Sequence, residues 1–218
     1  MGITTTKLKT LIRCTAVSLT ASLACANVAI AINLRGAGAT FPLPLYERYF
    51  QEYQEQKGIQ VNYKGVGSGA GIRGFIGEIV DFAGSDAVPN SEEQSQMERG
   101  LLMIPTAGGA VAIIYNLDGV IDLRLSRDVV GKIFTGQIKN WKQVDVRLPN
   151  QEIKVIVRQD SSGTTNIFTT FLSVVTKGKL QASKKPDWGF SVYGQGYGNG
   201  GVAARIKQTV RSDRLRSR

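Results

Sequence analysis

Three times in this chain a corner rich in glycine and hydroxyl side chains opens a helical pattern, and this recurrence restricts the fold more than any single motif. The richest copy is Arg158-Gln-Asp160-Ser161-Ser162-Gly163-Thr164. Before it, Ile153-Lys-Val155-Ile156-Val157 predicts a buried strand; after it, Ile167, Phe168, Phe171 and Leu172 recur at helical spacing. The second copy, Gly36-Ala-Gly38-Ala-Thr40-Phe41-Pro42, precedes a helix with Leu43, Tyr46, Phe50 and Tyr53 on one face, and Thr40 is its expected cap. The third, Gly65-Val-Gly67-Ser68-Gly69, follows the alternating strand Val61-Asn-Tyr63. It leads into a helix with Ile72, Phe75, Ile76, Ile79 and Val80 on one side, and Ser68 is expected at the cap. The first N–H groups of a helix lack intrahelical partners and carry partial positive charge, so they attract an anion. A single such start is an ordinary capped helix. Three that converge make a cage of donors, to which Arg158 adds a fork of N–H groups.

Strand and helix patterns alternate beyond these corners, which argues for α/β layers. Val80 to Asp86 reads as a short apolar strand with a polar end, and Ser91-Glu-Glu-Gln as the start of a short helix with acids in its first turn. Leu101-Leu-Met-Ile104 and Gly108 to Tyr115 read as strands, with a domain crossing near Tyr115. Ser126 caps a helix through Phe134, and Trp141 reads as a packing residue under the next turn. Lys177 to Gly201 is polar and glycine-rich, and its pattern assigns no element.

Several chemistries drop out on composition. The chain has no histidine, so the usual general base and the commonest transition-metal ligand are missing. Its two cysteines, Cys14 and Cys25, fall within an acid-free apolar stretch that follows Lys7, Lys9 and Arg13 and ends in Ala29-Ile-Ala31. That pattern predicts a signal peptide over 1–31, cleaved after Ala31, in preference to a retained anchor or to lipidation at Cys25. Gly67-Ser68-Gly69 has Val66 and Ala70 where a nucleophile elbow needs glycines, and no P-loop run occurs. The net charge of +10 is concentrated at the ends. Setting aside three basic residues in 1–31, and six basic against one acidic in 205–218, leaves 18 basic and 16 acidic residues in 32–204. The body therefore lacks the basic footprint of a nucleic-acid binder.

Five stretches, in order, resemble the phosphate-binding proteins of phosphate-specific ABC transporters, the PstS type. They are Gly36 to Pro42, Gly65 to Gly71, Asp81-Phe82-Ala-Gly-Ser85-Asp86-Ala87, Ile133 to Trp141, and Arg158 to Thr164. The resemblance runs from about residue 35 to 204 and implies an α/β fold of the type II periplasmic-binding class, two lobes around a ligand cleft that close by a hinge. It implies a signal peptide (1–31), an incomplete first lobe (32–115) lacking its second half, an incomplete second lobe (116–204) and an aberrant basic tail (205–218). The phosphate ligands it implies are Thr40, Phe41 through its backbone, Ser68, Asp86, Arg158, Asp160, Ser162, Gly163 and Thr164. Asp86 is then the discriminator, since a carboxylate only accepts and so favours an oxyanion that still carries a proton; a turn aspartate is the plainer alternative. Arg158 is held by Asp160. No catalytic residue, metal or cofactor is implied. The partners are inorganic phosphate and the transporter's transmembrane permease subunits, with no nucleic acid; the expected state is a monomer in the periplasm or cell envelope.

The resemblance breaks after Ala204, where the family continues with a Gly-Ala-Ile-Gly-Tyr strand and this chain has Val210-Arg-Ser-Asp213 in a stretch without apolar periodicity. A one-base shift in reading frame across Val210 to Asp213 can restore Gly-Ala-Ile-Gly, which sequencing the gene would check. Alternative readings are a non-functional truncated fragment, a receptor for another oxyanion, an exported hydrolase using Ser162 or Ser68 with Lys or Asp as base, and a protein that adheres through its basic tail.

Overall fold

Asn33–Gly38 (β1) lies between two parallel neighbours, Gln60–Gly65 (β2) and Phe82–Gly84 (β3), in the order β2-β1-β3. Gly36 pairs with Tyr63 on one side and Phe82 on the other. Parallel neighbours need crossover connections. Leu43–Lys57 (α1) carries the chain from β1 to β2, and Ser68–Ile76 (α2) carries it from β2 across β1 to β3. The strand order therefore reverses at β1. The computed structural model describes residues 32–216, with side-chain surroundings to Thr209; the expected signal segment, with Cys14 and Cys25, lies outside the described residues. From Asn33 onward the chain forms one unit.

The expected apolar face of α1 meets the first sheet through aromatic rings. Tyr46 packs edge-on to Tyr63 at 5.1 Å, Phe50 reaches Phe82 at 6.0 Å, and Tyr63 stacks on Phe82. Tyr53 falls off this stripe and is exposed. The α2 stripe likewise ends early: Ile72 is fully buried and Val80 buried, but the helix stops at Ile76 and Ile79 projects into solvent.

A second, two-stranded parallel sheet pairs Ile156–Arg158 (β4) with Gly194–Gly196 (β5). The strand expected from Ile153 starts three residues late, because the preceding backbone is taken by another partner: Glu152 bridges Asn140 and the Ile153 N–H donates to Lys139 O at 2.8 Å. Arg127–Phe134 (α4) and Gly163–Val175 (α5) pack beside this sheet around Val130, Leu172 and Leu180, with Phe168 and Trp188 at the margin. As expected, Ser126 caps α4, its hydroxyl accepting from Val129 N at 3.3 Å. Trp141 opens a short 3₁₀ turn, Trp141–Gln143, and is half-buried. Leu172 is completely buried, so Leu172→Ala is expected to cost about 2–5 kcal/mol by leaving a cavity, read as a lowered denaturant midpoint. A change under about 1 kcal/mol would mean that the second sheet's helices are not closely packed.

Two expected strands do not form. Leu101 to Ile104 and Gly108 to Tyr115 carry no strand, and Leu102 is 83% and Ile104 69% exposed. Among the described residues no strand lies alongside either run, and strand N–H and C=O groups find their partners only across a ladder. Ser91–Ser95 (α3) forms as expected, capped by Asn90. Gly198–Arg216 (α6) differs from the unpatterned tail expected there: its Ala, Arg, Lys, Gln and Leu residues favour helix without an apolar stripe. Asn116 holds it, its Nδ2 donating to Ile206 O at 3.0 Å. Among the described residues no helix is long and apolar enough to cross a membrane.

Candidate functional site

Every expected ligand lies at or just past the carboxyl end of a parallel strand: Thr40 and Phe41 after β1, Ser68 after β2, Asp86 after β3, Arg158 as the last residue of β4, and Asp160, Ser162, Gly163 and Thr164 after it. In α/β sheets ligands bind outside these ends, where the strand order reverses. The two sheets contribute to one polar cluster.

The starts of α2 and α5 are bonded to each other, and the corner before α1 is bonded to the start of α6. The N-cap of α1 is Pro42, with no side-chain cap, and Thr40 Oγ1 instead accepts from Asn199 N at 3.2 Å. Ser68 is the first residue of α2, not its cap. Gly67 holds the N-cap position at φ 88°, a left-handed conformation open to glycine, beside the Asp160 carboxylate. Ser68 Oγ accepts from Gly163 N at 3.1 Å and from Asp86 N at 3.4 Å. The expected capping roles of Thr40 and Ser68 are thus corrected: their oxygens are drawn to N–H groups from distant parts of the chain. Ser162 does cap its own helix, Oγ accepting from Thr165 N at 3.1 Å, and is buried. The Gly69 N–H donates to Ser161 O at 3.1 Å.

Arg158 and Asp160 form a two-pronged ion pair, Nε to Oδ1 at 2.8 Å and Nη2 to Oδ2, with side chains 8% and 6% exposed. Arg158 Nη1 also donates to Asn199 Oδ1 at 2.6 Å, and Gly198 N donates to Asp160 Oδ1 at 3.0 Å. Burial by itself would raise the Asp160 pKa; the hydrogen bonds from Arg158 and Gly198 outweigh it and hold the carboxyl below its usual range. Asp86 shifts the opposite way. Burial pushes it up, and the Thr164 hydroxyl, which donates to Oδ2 at 2.9 Å, and the Arg158 charge only partly offset that rise.

A cleft of about 450 Å³ opens beside this cluster, lined by Phe41, Asp86, Arg158, Thr164 and Asn199 and by the irregular run 106–112. The exposed Phe41 ring stands next to Gly109. Of the expected ligands, Phe41, Asp86, Arg158 and Thr164 line the cleft, whereas Thr40, Ser68, Asp160, Ser162 and Gly163 form the bonded layer around it. Among the described residues, three of the five guanidinium N–H groups are engaged, leaving two directed at no protein partner there. Thr40 and Ser68 accept at oxygen and keep their own hydroxyl protons to donate. Asn199, which sequence reasoning missed, joins both sheets. Its only local signal was Gly198-Asn199-Gly200-Gly201 ahead of an apolar residue, a helix-start composition like the other three.

The family model described as PBP superfamily domain matches residues 19–208. The chain belongs to this superfamily. Among its PBP relatives, the phosphate-binding protein PstS of Haemophilus influenzae is 37% identical over 189 residues, covering 81% of this chain and 55% of that one. PstS of Methanocaldococcus jannaschii is 35% identical over 199 residues, covering 82% and 51%. The chain spans about half the length of the curated relatives it matches. Among solved structures, an ancestral soluble variant of the human phosphate binding protein aligns at TM-score 0.68 with 24% identity, covering 82% of this chain and 53% of that one. A phosphate binding protein from Stenotrophomonas maltophilia aligns at 0.57 with 23% identity, covering 82% and 57%. The expected α/β fold of the type II periplasmic-binding class is borne out.

Proposed function

We propose that this chain binds inorganic phosphate in the cleft and serves, in the cell envelope after export, as the receptor that passes it to the transmembrane permease subunits of an ABC transporter. The observation that carries this reading is the placement of Asp86, a half-buried acceptor-only carboxylate, against the donors of the α5 start and Arg158. Arg158 and Asp160 together are neutral, so Asp86 leaves the cluster with a net negative charge. A fully ionised sulfate is repelled by that charge, whereas a phosphate that keeps a proton donates it to the carboxylate and takes donors from Arg158, Thr40 and Ser68. The names of the curated relatives support the same ligand. Binding without turnover fits Ser68 and Ser162, whose hydroxyl oxygens are already engaged by backbone N–H groups.

Calorimetric titration at neutral pH tests the proposal. Heat is expected on adding phosphate and none on adding sulfate; no heat with phosphate, or equal affinity for sulfate, would overturn it, the latter in favour of a general oxyanion receptor. In Asp86→Asn the neutral amide can donate as well as accept. This variant is expected to gain sulfate binding and to narrow the phosphate preference by at least about tenfold. An unchanged preference would remove Asp86 from the discriminating role.

A further inference from the structure

Outside the cleft, one ion pair ties the irregular segment that backs the anion-facing turn to α3, the short helix that follows β3. Lys184 Nζ meets both carboxylate oxygens of Glu93 at 2.6 Å, across 91 residues of sequence, and the two side chains are only 16% and 22% exposed. Each end is anchored at a helix start. Glu93 is the third residue of α3 and is locked in a capping box: its Oε2 accepts from Asn90 N at 2.9 Å, and Asn90 Oδ1 accepts from Glu93 N at 2.8 Å. At the other end the Lys184 carbonyl accepts from Ser162 N at 2.9 Å, and Ser162 is the cap of α5. The first turn of α5 then meets the first sheet's corners through Gly163 N to Ser68 and Gly69 N to Ser161 O. Neither Lys184 nor Glu93 lines the cleft.

We infer that the Lys184–Glu93 ion pair is a clasp: it presses the capped start of α5 against the corners of β2 and β3 and so sets how fast a bound anion leaves. Both are positioning residues, acting through Ser162 and α3 and not by touching the ligand. The release step rests on the phosphate reading above; the clasp itself does not. A clasp and a mere charge effect differ in sign. Losing the lysine charge weakens the attraction for an anion, and losing the glutamate charge strengthens it. A clasp is broken by either loss.

The test uses the full chain and the variants Glu93→Gln, Lys184→Met, Lys184→Arg and the double variant Glu93→Gln/Lys184→Met. Glu93→Gln keeps an oxygen for Asn90 N, so the capping box survives. Amide hydrogen exchange of the segments holding Gly69 and Gly163, read without ligand, and the rate of phosphate release are both measured. Exchange and release are each expected to quicken about three- to tenfold in Glu93→Gln and in Lys184→Met. The double variant is expected to be no worse than the worse single one, and Lys184→Arg to resemble the wild type. Opposite shifts for Glu93→Gln and Lys184→Met, unchanged exchange, or an arginine variant as defective as the methionine one would each overturn the clasp. If the wild type binds no phosphate, the proposed function fails, and the ligand-free exchange still decides the clasp.

Discussion

Arg158→Met is expected to lower the unfolding free energy by about 3–5 kcal/mol, the usual penalty for leaving one partner of a buried ion pair alone. Asp160 would remain with its side chain 6% exposed, still bonded to Gly198 N but without the guanidinium that neutralises it. The same substitution releases Asn199 Oδ1, so the tie between β4 and the start of α6 also goes. Chemical denaturation of wild type and variant gives the number. Adding Asp160→Asn to Arg158→Met removes the stranded charge and is expected to recover a large part of the loss. A drop below about 1 kcal/mol for the single variant would place the pair among solvent-screened surface pairs and contradict its burial.

Gly163→Ala is expected to lower both stability and phosphate binding. Alanine favours helix over glycine by up to about 1 kcal/mol, and Gly163 is the first residue of α5. Yet a methyl there would stand 2.6 Å from Ser68 Oγ, 2.8 Å from Asp86 Cβ and 2.9 Å from Asp86 N. The Ser68 hydroxyl can rotate away, but the Asp86 backbone cannot, so the α5 start must withdraw from the β3 corner. Overpacking of this kind costs about 1–3 kcal/mol of stability, and the displaced corner is expected to weaken phosphate binding by about tenfold, roughly 1.4 kcal/mol. The helix gain offsets only part of this cost, so the melting temperature is expected to fall by a few degrees. An unchanged affinity would show that binding does not need the approach of these two corners.

What the sequence conveyed about this molecule follows the range of the forces involved. The α5 start was legible because its signals are consecutive: an apolar strand, an Arg-Asp pair two residues apart, a capping serine and a helical repeat. Helix α4 with its Ser126 cap was legible for the same reason. Thr40 and Ser68 stand out in the sequence, but the bonding expected of them differs from that found. A hydroxyl at a helix start has a default local acceptor role, and here N–H groups from Asn199 and Gly163 took that role in competition. The strands expected over 101–104 and 108–115 failed differently: apolar runs announce burial or pairing without saying whether a neighbour exists to pair with. Asn199 and Lys184 were out of reach, since an asparagine or lysine in a polar glycine-rich stretch acquires meaning only from residues far away in the chain.

The bonds of the polar cluster span very long stretches of chain: Asp86 to Thr164 joins residues 78 apart, Ser68 to Gly163 joins residues 95 apart, and Thr40 to Asn199 joins residues 159 apart. Contacts of such separation form slowly, because the entropy of closing the intervening loop must be overcome before the contact returns anything. On a ribosome the consequence is a schedule. The β2-β1-β3 sheet can assemble once Gly84 has emerged, but its corner at Thr40 stays unpartnered until the chain has grown past Asn199. The polar cluster is therefore among the last features the nascent polypeptide completes.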